Sequence, residues 1–261
     1  MTGLSAASIK RDLRTAFIGQ NVAYYPSIGS TNEAAKELAA QGAPEGTLVI
    51  ADEQIGGKGR LGRKWLAPAG TSLLMSLLFR PDLAPHQAQR LTMICSLAIS
   101  DAITETTGLS AGIKWPNDIV VNGKKAGGIL TELGIVGQRL DFAVVGMGLN
   151  VNLDLTALPE LSDTPTSLAQ ELGREVSRLG LLHQILEKIE ARYRRLQKGE
   201  LPHEEWQARL ITLHKKIKVT MPQGQVEGWA EGVGADGALL LRLADGGRQW
   251  VLVGDVTLQE S

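Results

Sequence analysis

The chain has 261 residues, 43% hydrophobic and 21% charged, a globular composition long enough for one large domain or one large and one small. Its 27 Lys+Arg against 28 Asp+Glu leave no basic excess, which argues against a general nucleic-acid binder. One cysteine excludes an internal disulfide and a thiolate cluster, and no signal-peptide core or membrane-length apolar run is present, so the expectation is a cytoplasmic protein without nucleic-acid or membrane partners.

Residues 4–18 alternate apolar and basic positions at helical spacing and predict a helix ending near Gly19-Gln20. Asn21 to Ile28 predicts a short strand. Ser30-Thr31-Asn32-Glu33 then opens a helix that stops at Gly42, and Ser30 with Glu33 three residues on reads as a capping box. A helix N-terminus is also a place where an anion or polar ligand can bind.

Thr47 to Ala51 reads as a buried strand that delivers the chain into Gln54–Trp65, QIGGKGRLGRKW. Four cations (Lys58, Arg60, Arg63, Lys64) are packed there among four glycines (Gly56, Gly57, Gly59, Gly62). Clustered cations repel, so an anion that neutralises them is the reason to look for, and phosphate suits both backbone N–H groups and guanidinium forks. The alternative is a solvated basic loop. Gly57, Gly59 and Gly62 have G-x-G-x-x-G spacing, but Pro68 and Gly70 prevent the helix a dinucleotide-binding turn requires. A Walker A loop fails because Gly57-Lys58 is followed by Gly59. Thr71 to Arg80 reads as a second core strand leaving the loop. His86 to Thr107 is a long apolar helix closed by Gly108, with Cys95 in its core.

Asn122-Gly123 between β-branched residues is a strong hairpin signal. It predicts strand Asp118–Val121 folding onto Lys125–Leu133, with a turn at Gly137-Gln138 into a third strand, Arg139 to Val145. Lys124 and Lys125 are neighbours and point to opposite faces; small residues after Lys125 leave room for a ligand. An exposed edge in this antiparallel meander offers pairing with a second copy, a homodimer. Residues 163–213 read as helical, with Arg192, Arg194, Arg195 and Lys198 a solvated face complementing a helix dipole. His183, His203 and His214 lack metal-ligand spacing. From about residue 214 short strands (Lys216–Met221, Gln225–Val233, Ala238–Leu243, Gln249–Val253) predict a small barrel-like β domain, dividing the chain into 1–213 and 214–261.

These residues resemble the biotin–protein ligases. The resemblance rests on GKGRLGRKW (Gly57–Trp65), KWPND (Lys114–Asp118), Lys125 with its small-residue turn into a strand, GMGLN (Gly146–Asn150) and STN (Ser30–Asn32), and it spans about 20–261. It implies an α+β fold, a mixed sheet flanked by helices like the catalytic domain of class II aminoacyl-tRNA synthetases, with a C-terminal SH3-like β-barrel. It implies an enzyme that activates biotin with ATP as biotinyl-5′-AMP and passes it to a lysine of a biotin carboxyl carrier protein, an acyl-CoA carboxylase subunit or domain. Ser30, Thr31, Asn32 and Gln54 correspond to biotin-ring contacts, and Lys58, Gly59 and Arg60 to contacts with the carboxylate and phosphate. Lys125 bridges biotin and the α-phosphate, Arg63 faces the nucleotide phosphates, Asn150 lies on the adenine side, and Asp118 is a candidate for orienting the acceptor lysine. Magnesium is expected with ATP, with no metal ligands assigned on the protein.

The residues suit that chemistry independently, since joining a carboxylate to an α-phosphate brings two anions together. Lys58 stands where the family usually has arginine and lacks the bidentate fork, which implies a weaker grip. Only 29 residues precede Ser30, with no evident helix-turn-helix spacing, so a ligase without operator binding is expected. A lipoate or octanoate ligase or transferase of the same fold, and a non-catalytic biotin- or nucleotide-binding regulator, are the alternatives.

Overall fold

A computed structural model describes residues 3–63, 65, 67–155, 165–221 and 223–258. Lys64, one of the four loop cations, lies outside the described residues.

The central element is a seven-stranded sheet in the order β1-β2-β3-β7-β6-β5-β4. Its strands are β1 (Val22–Ile28), β2 (Leu48–Gln54), β3 (Ser72–Phe79), β4 (Ala111–Lys114), β5 (Asp118–Val121), β6 (Lys124–Val136) and β7 (Arg139–Asn150). Only the β1–β2 pair is parallel. The hairpin signal holds: Asn122 and Gly123 both adopt positive φ, at 49° and 76°, as a type I′ turn requires. β7 runs beyond the expected Val145 to Asn150.

Alternation decides the two faces. From β3, Leu73, Met75, Leu77 and Phe79 enter the main core; from β7, Ala143, Val145, Met147 and Leu149 do the same. That face is covered by α3 (Gln89–Thr107) and α5 (Arg178–Gln197). α3 buries residues all round, Cys95 among them, and burial pushes that thiol far up; Gly108 closes the helix at φ +79°. The opposite face packs on α2 (Thr31–Ala40) through Ala35, Ala39, Val49, Leu78 and Val144. Next to that small cluster the same face carries Ser76, Gly146, Gly148 and Asn150, and there it opens into a cavity.

Several expectations change. The first helix, α1, is only Ala6–Lys10, because Asp12 turns at φ +64° and the chain then wraps the buried Glu190, whose carboxylate accepts from the N–H groups of Ala16, Phe17 and Ile18. The 163–213 stretch is broken into α4 (Leu168–Leu172), α5 and α6 (His203–Ala208), with left-handed glycines at 173 and 199 between them; positions 163 and 164 lie outside the described residues. Arg192 is not a solvated cation. Its side chain is 12% exposed and pairs with Glu205 and Asp101. In the meander, β6 pairs with β5 only through Lys124–Gly128, so the exposed edge is residues 130–136, which pair with β7 alone among the described strands; Ile135 and Val136 are exposed.

The C-terminal part is a five-stranded antiparallel sheet, β11-β10-β9-β8-β12. Its strands are β8 (Lys216–Met221), β9 (Gly224–Val233), β10 (Leu239–Arg242), β11 (Arg248–Val251) and β12 (Asp255–Leu258). It is compatible with an SH3-like barrel but is not closed: β11 and β12 are edges, and β12 is a strand beyond those expected. It packs on the main domain, since Trp115 is buried and donates Nε1–H to the Gly237 carbonyl at 2.9 Å. A Cβ at Gly237 would meet Gln89 Cγ at 2.6 Å, so the close approach depends on glycine. No helix among the described residues is long and apolar enough to cross a membrane.

Candidate functional site

The cavity, about 710 Å³, lies between the N-terminus of α2, the basic loop, the β5–β6 hairpin, β7 and β12. All eleven residues singled out from the sequence line it: Ser30, Thr31, Asn32, Gln54, Lys58, Gly59, Arg60, Arg63, Asp118, Lys125 and Asn150.

One end is uncharged hydrogen-bonding groups on the sheet face. Gln54, the last residue of β2, accepts from the Thr31 N–H at 2.8 Å and the Thr31 hydroxyl at 3.0 Å. Ser30 sits at the N-cap position of α2 but its hydroxyl makes no cap bond, so the capping box is not formed; the Gln54 amide oxygen takes one of the orphan N–H groups of the first turn, that of Thr31. Glu33 turns outward to Lys36 and Lys58. Ser76 Oγ donates to Asn32 Oδ1 at 2.6 Å and lies 2.8 Å from Thr31 Oγ1. Asn32 Nδ2 donates to Glu132 Oε2 at 2.7 Å and to the Leu130 carbonyl at 3.2 Å, which fixes the amide's orientation.

The glycines of GMGLN follow from this packing. Gly146 and Gly148 alternate onto the cavity face of β7. A Cβ at Gly146 would lie 2.1 Å from Asn32 Oδ1, and one at Gly148 would lie 2.6 Å from the Trp65 ring. Asn150, two residues on, is buried, donates Nδ2–H to the Thr166 carbonyl and keeps a buried Oδ1 with no partner among the described residues.

The other end is charged. The basic loop forms a short 3-10 turn, Arg60–Gly62, with the Gly59 N–H donating to the Arg63 carbonyl at 2.7 Å. Arg60, 18% exposed, donates to Asn117 Oδ1 at 3.1 Å and lies 3.5 Å from Asp255 Oδ1. Burial pulls its guanidinium below the ordinary value, partly offset by Asp255 and Asp118. Arg63 Nη2 reaches Asp255 Oδ2 at 2.7 Å. Lys125 Nζ meets Asp118 Oδ1 at 2.9 Å across the β5–β6 hairpin, while Lys124 goes to Glu171 at 3.1 Å, so the two lysines do point to opposite sides. Lys58 is 64% exposed and 3.2 Å from Glu33 Oε1. The arrangement can hold a ligand that is polar and neutral at one end and anionic at the other.

Sequence reading missed Asp255, Ser76, Asn117 and the seat of Trp65. Ser76 had a signal, a hydroxyl between Met75 and Leu77 on a buried strand. Asp255 was not given a role, because it reaches the loop cations from the second sheet.

The Biotin/lipoate A/B protein ligase family model matches residues 24–150, and the Biotin protein ligase C terminal domain model matches 212–258. The bifunctional ligase/repressor BirA of Bacillus subtilis is 38% identical over 93% of this chain and 76% of its own. The biotin–[acetyl-CoA-carboxylase] ligase of Mycobacterium tuberculosis is 32% identical over 95% of this chain and 94% of its own. Among solved structures, the biotin protein ligase from Aquifex aeolicus in complex with biotin and ATP superposes with a TM-score of 0.78 at 28% identity, covering 93% of this chain and all of that one.

Proposed function

The chain belongs to the biotin/lipoate A/B protein ligase family, and from that premise we propose that it joins biotin to a carrier-protein lysine at the expense of ATP. The observation that carries this is a cavity whose neutral hydrogen-bonding end and cationic end match biotin's ring and its carboxylate. Biotin is activated as biotinyl-5′-AMP: a biotin carboxylate oxygen attacks the α-phosphorus of ATP and diphosphate leaves. The acceptor lysine nitrogen then attacks the acyl carbon and AMP leaves.

The residue roles form part of the proposal. Thr31, Asn32 and Gln54, with Ser30 beside them, take the ring end. Lys58, the Gly59 backbone and Arg60 meet the carboxylate–phosphate junction. Lys125 bridges carboxylate and α-phosphate, Arg63 takes the nucleotide phosphates, and Asn150 with its open Oδ1 takes the adenine side. Neutralising two converging anions with preorganised cations is the main source of rate. Asp118, 2.9 Å from Lys125, orients that lysine first and the acceptor lysine afterwards. Among the described residues no group of three His, Cys, Asp or Glu gathers as a metal site. Magnesium is proposed to enter on the ATP phosphates, as part of the substrate.

The carrier is proposed to be a biotin carboxyl carrier domain of an acyl-CoA carboxylase. Support for a division into 1–213 and 214–261 is that β8 begins at Lys216 and the C-terminal family model begins at 212. Homodimer pairing through residues 130–136 is part of the same reading, supported by the open edge of β6. The test is ATP–diphosphate exchange driven by biotin or by lipoate. Exchange with biotin alone is expected; exchange with lipoate and not biotin overturns the reading.

A further inference from the structure

A line of charge runs along the exposed side of α2 and joins the cavity's ring end to the basic loop. It begins at Asn32, whose Nδ2 donates to one oxygen of Glu132 at 2.7 Å. Lys36 takes the other oxygen of Glu132 at 2.8 Å and one oxygen of Glu33 at 3.0 Å. The remaining oxygen of Glu33 holds Lys58 at 3.2 Å. Hydrogen bonds from Lys36 first and Lys58 second hold the Glu33 carboxyl below its ordinary range, against the effect of burial, so it is an anion at neutral pH.

Two consequences follow from charge alone. Lys58 is bound to an anion of the protein on the cavity rim, so a ligand carboxylate must draw it away from Glu33 or share it. A ligand anion beside Lys58 also lies within range of the like charge on Glu33. We propose that Glu33 is a positioning residue that holds Lys58 at the rim and weakens the loop's grip on the anionic end of biotin and of the adenylate, favouring release toward the acceptor lysine. The proposal rests on the biotin-ligase reading. It assigns to Glu33, which has the spacing of a helix cap, a kinetic role at the substrate junction.

The experiment compares the full-length wild type with Glu33→Gln, Glu33→Ser, Glu33→Asp, Lys58→Met and the Glu33→Gln/Lys58→Met double variant. The readouts are KM for biotin and kcat in ATP–diphosphate exchange, and the release rate of biotinyl-AMP into a trap. Removing the Glu33 charge is expected to lower KM for biotin and slow release by about two- to fivefold each, the scale of an exposed ion pair. kcat for exchange changes less than KM, Glu33→Asp stays at the wild-type KM, and the effect vanishes in the Lys58→Met background. An unchanged or raised KM in Glu33→Gln and Glu33→Ser, or an equal effect with Lys58 absent, overturns the proposal while a biotin-dependent wild type leaves the ligase reading standing. A wild type without biotin-dependent exchange overturns both.

Discussion

The loop at 58–63 and the last turns of α5 both concentrate cations, yet they meet carboxylates in different ways. On α5, Arg192 engages Glu205 and Asp101, the latter also held by Arg209, Arg194 pairs with Glu190 one turn back, and Arg195 with Glu200. The Arg192 pairs tie α5 to α3 and α6, whereas Glu190 lies on α5 itself and Glu200 just beyond its end. In the loop, Arg60 and Arg63 converge on one carboxylate, Asp255 of the second sheet, and Lys58 shares Glu33 with Lys36. The loop cations also line a cavity. A basic run therefore serves packing where its cations meet acids within and between helices, and serves a ligand where they converge around an open volume.

Single substitutions sharpen that contrast. Arg60→Ala removes a cation from the carboxylate–phosphate junction and is expected to lower kcat/KM for adenylate formation by about 10²–10³-fold. Its stability, read by urea unfolding, changes by about 1 kcal/mol or less, because the guanidinium is desolvated and Arg63 keeps Asp255 paired. Arg192→Ala gives the opposite pattern: it takes away the partner of Glu205 and one of the two partners of Asp101, which keeps Arg209 at 2.9 Å, and costs about 1.5–3 kcal/mol. Its kcat/KM per folded molecule stays at wild type. If Arg192→Ala slows adenylation in the folded fraction, or Arg60→Ala unfolds the chain, the division fails.

The frame of the site was legible because strand alternation and turn chemistry are local, while most of its lining residues were singled out by the resemblance. The Asn122-Gly123 turn, the buried strands flanking the loop and the opposed lysines 124 and 125 needed only neighbours in sequence. What was not legible depended on distant groups. Ser30 and Glu33 have the spacing of a capping box, but Gln54 from the end of β2 takes the Thr31 N–H, and Lys36 and Lys58 take the glutamate. Arg192 reads as solvated until Asp101 on α3 is brought beside it. The first helix reads as long because nothing nearby announces Glu190, whose carboxylate collects three successive N–H groups at 16–18.

Glu190 provides a smaller, pH-dependent test on the packing side of the comparison. Burial raises its carboxyl, but the N–H donors of Phe17, Ala16 and Ile18, with Arg194, outweigh burial and hold it below the ordinary 4.5. Its contribution to stability is therefore complete above that pH and is lost as pH falls through the lower folded-state value. Glu190→Gln is expected to cost about 1.5–3 kcal/mol at pH 7. The gap to wild type narrows on acidification below pH 4.5, followed by unfolding midpoints at several pH values. A gap that widens there contradicts the role assigned to the carboxylate.

The central claim, that the cavity joins a carboxylate to an α-phosphate over preorganised cations, is tested most directly by single-turnover formation of biotinyl-AMP with wild type and Lys125→Ala. The wild type is expected to form the adenylate. Lys125→Ala, with its unfolding curve unchanged, is expected to form none within the same time. Adenylate formation by Lys125→Ala at the wild-type rate would contradict the account.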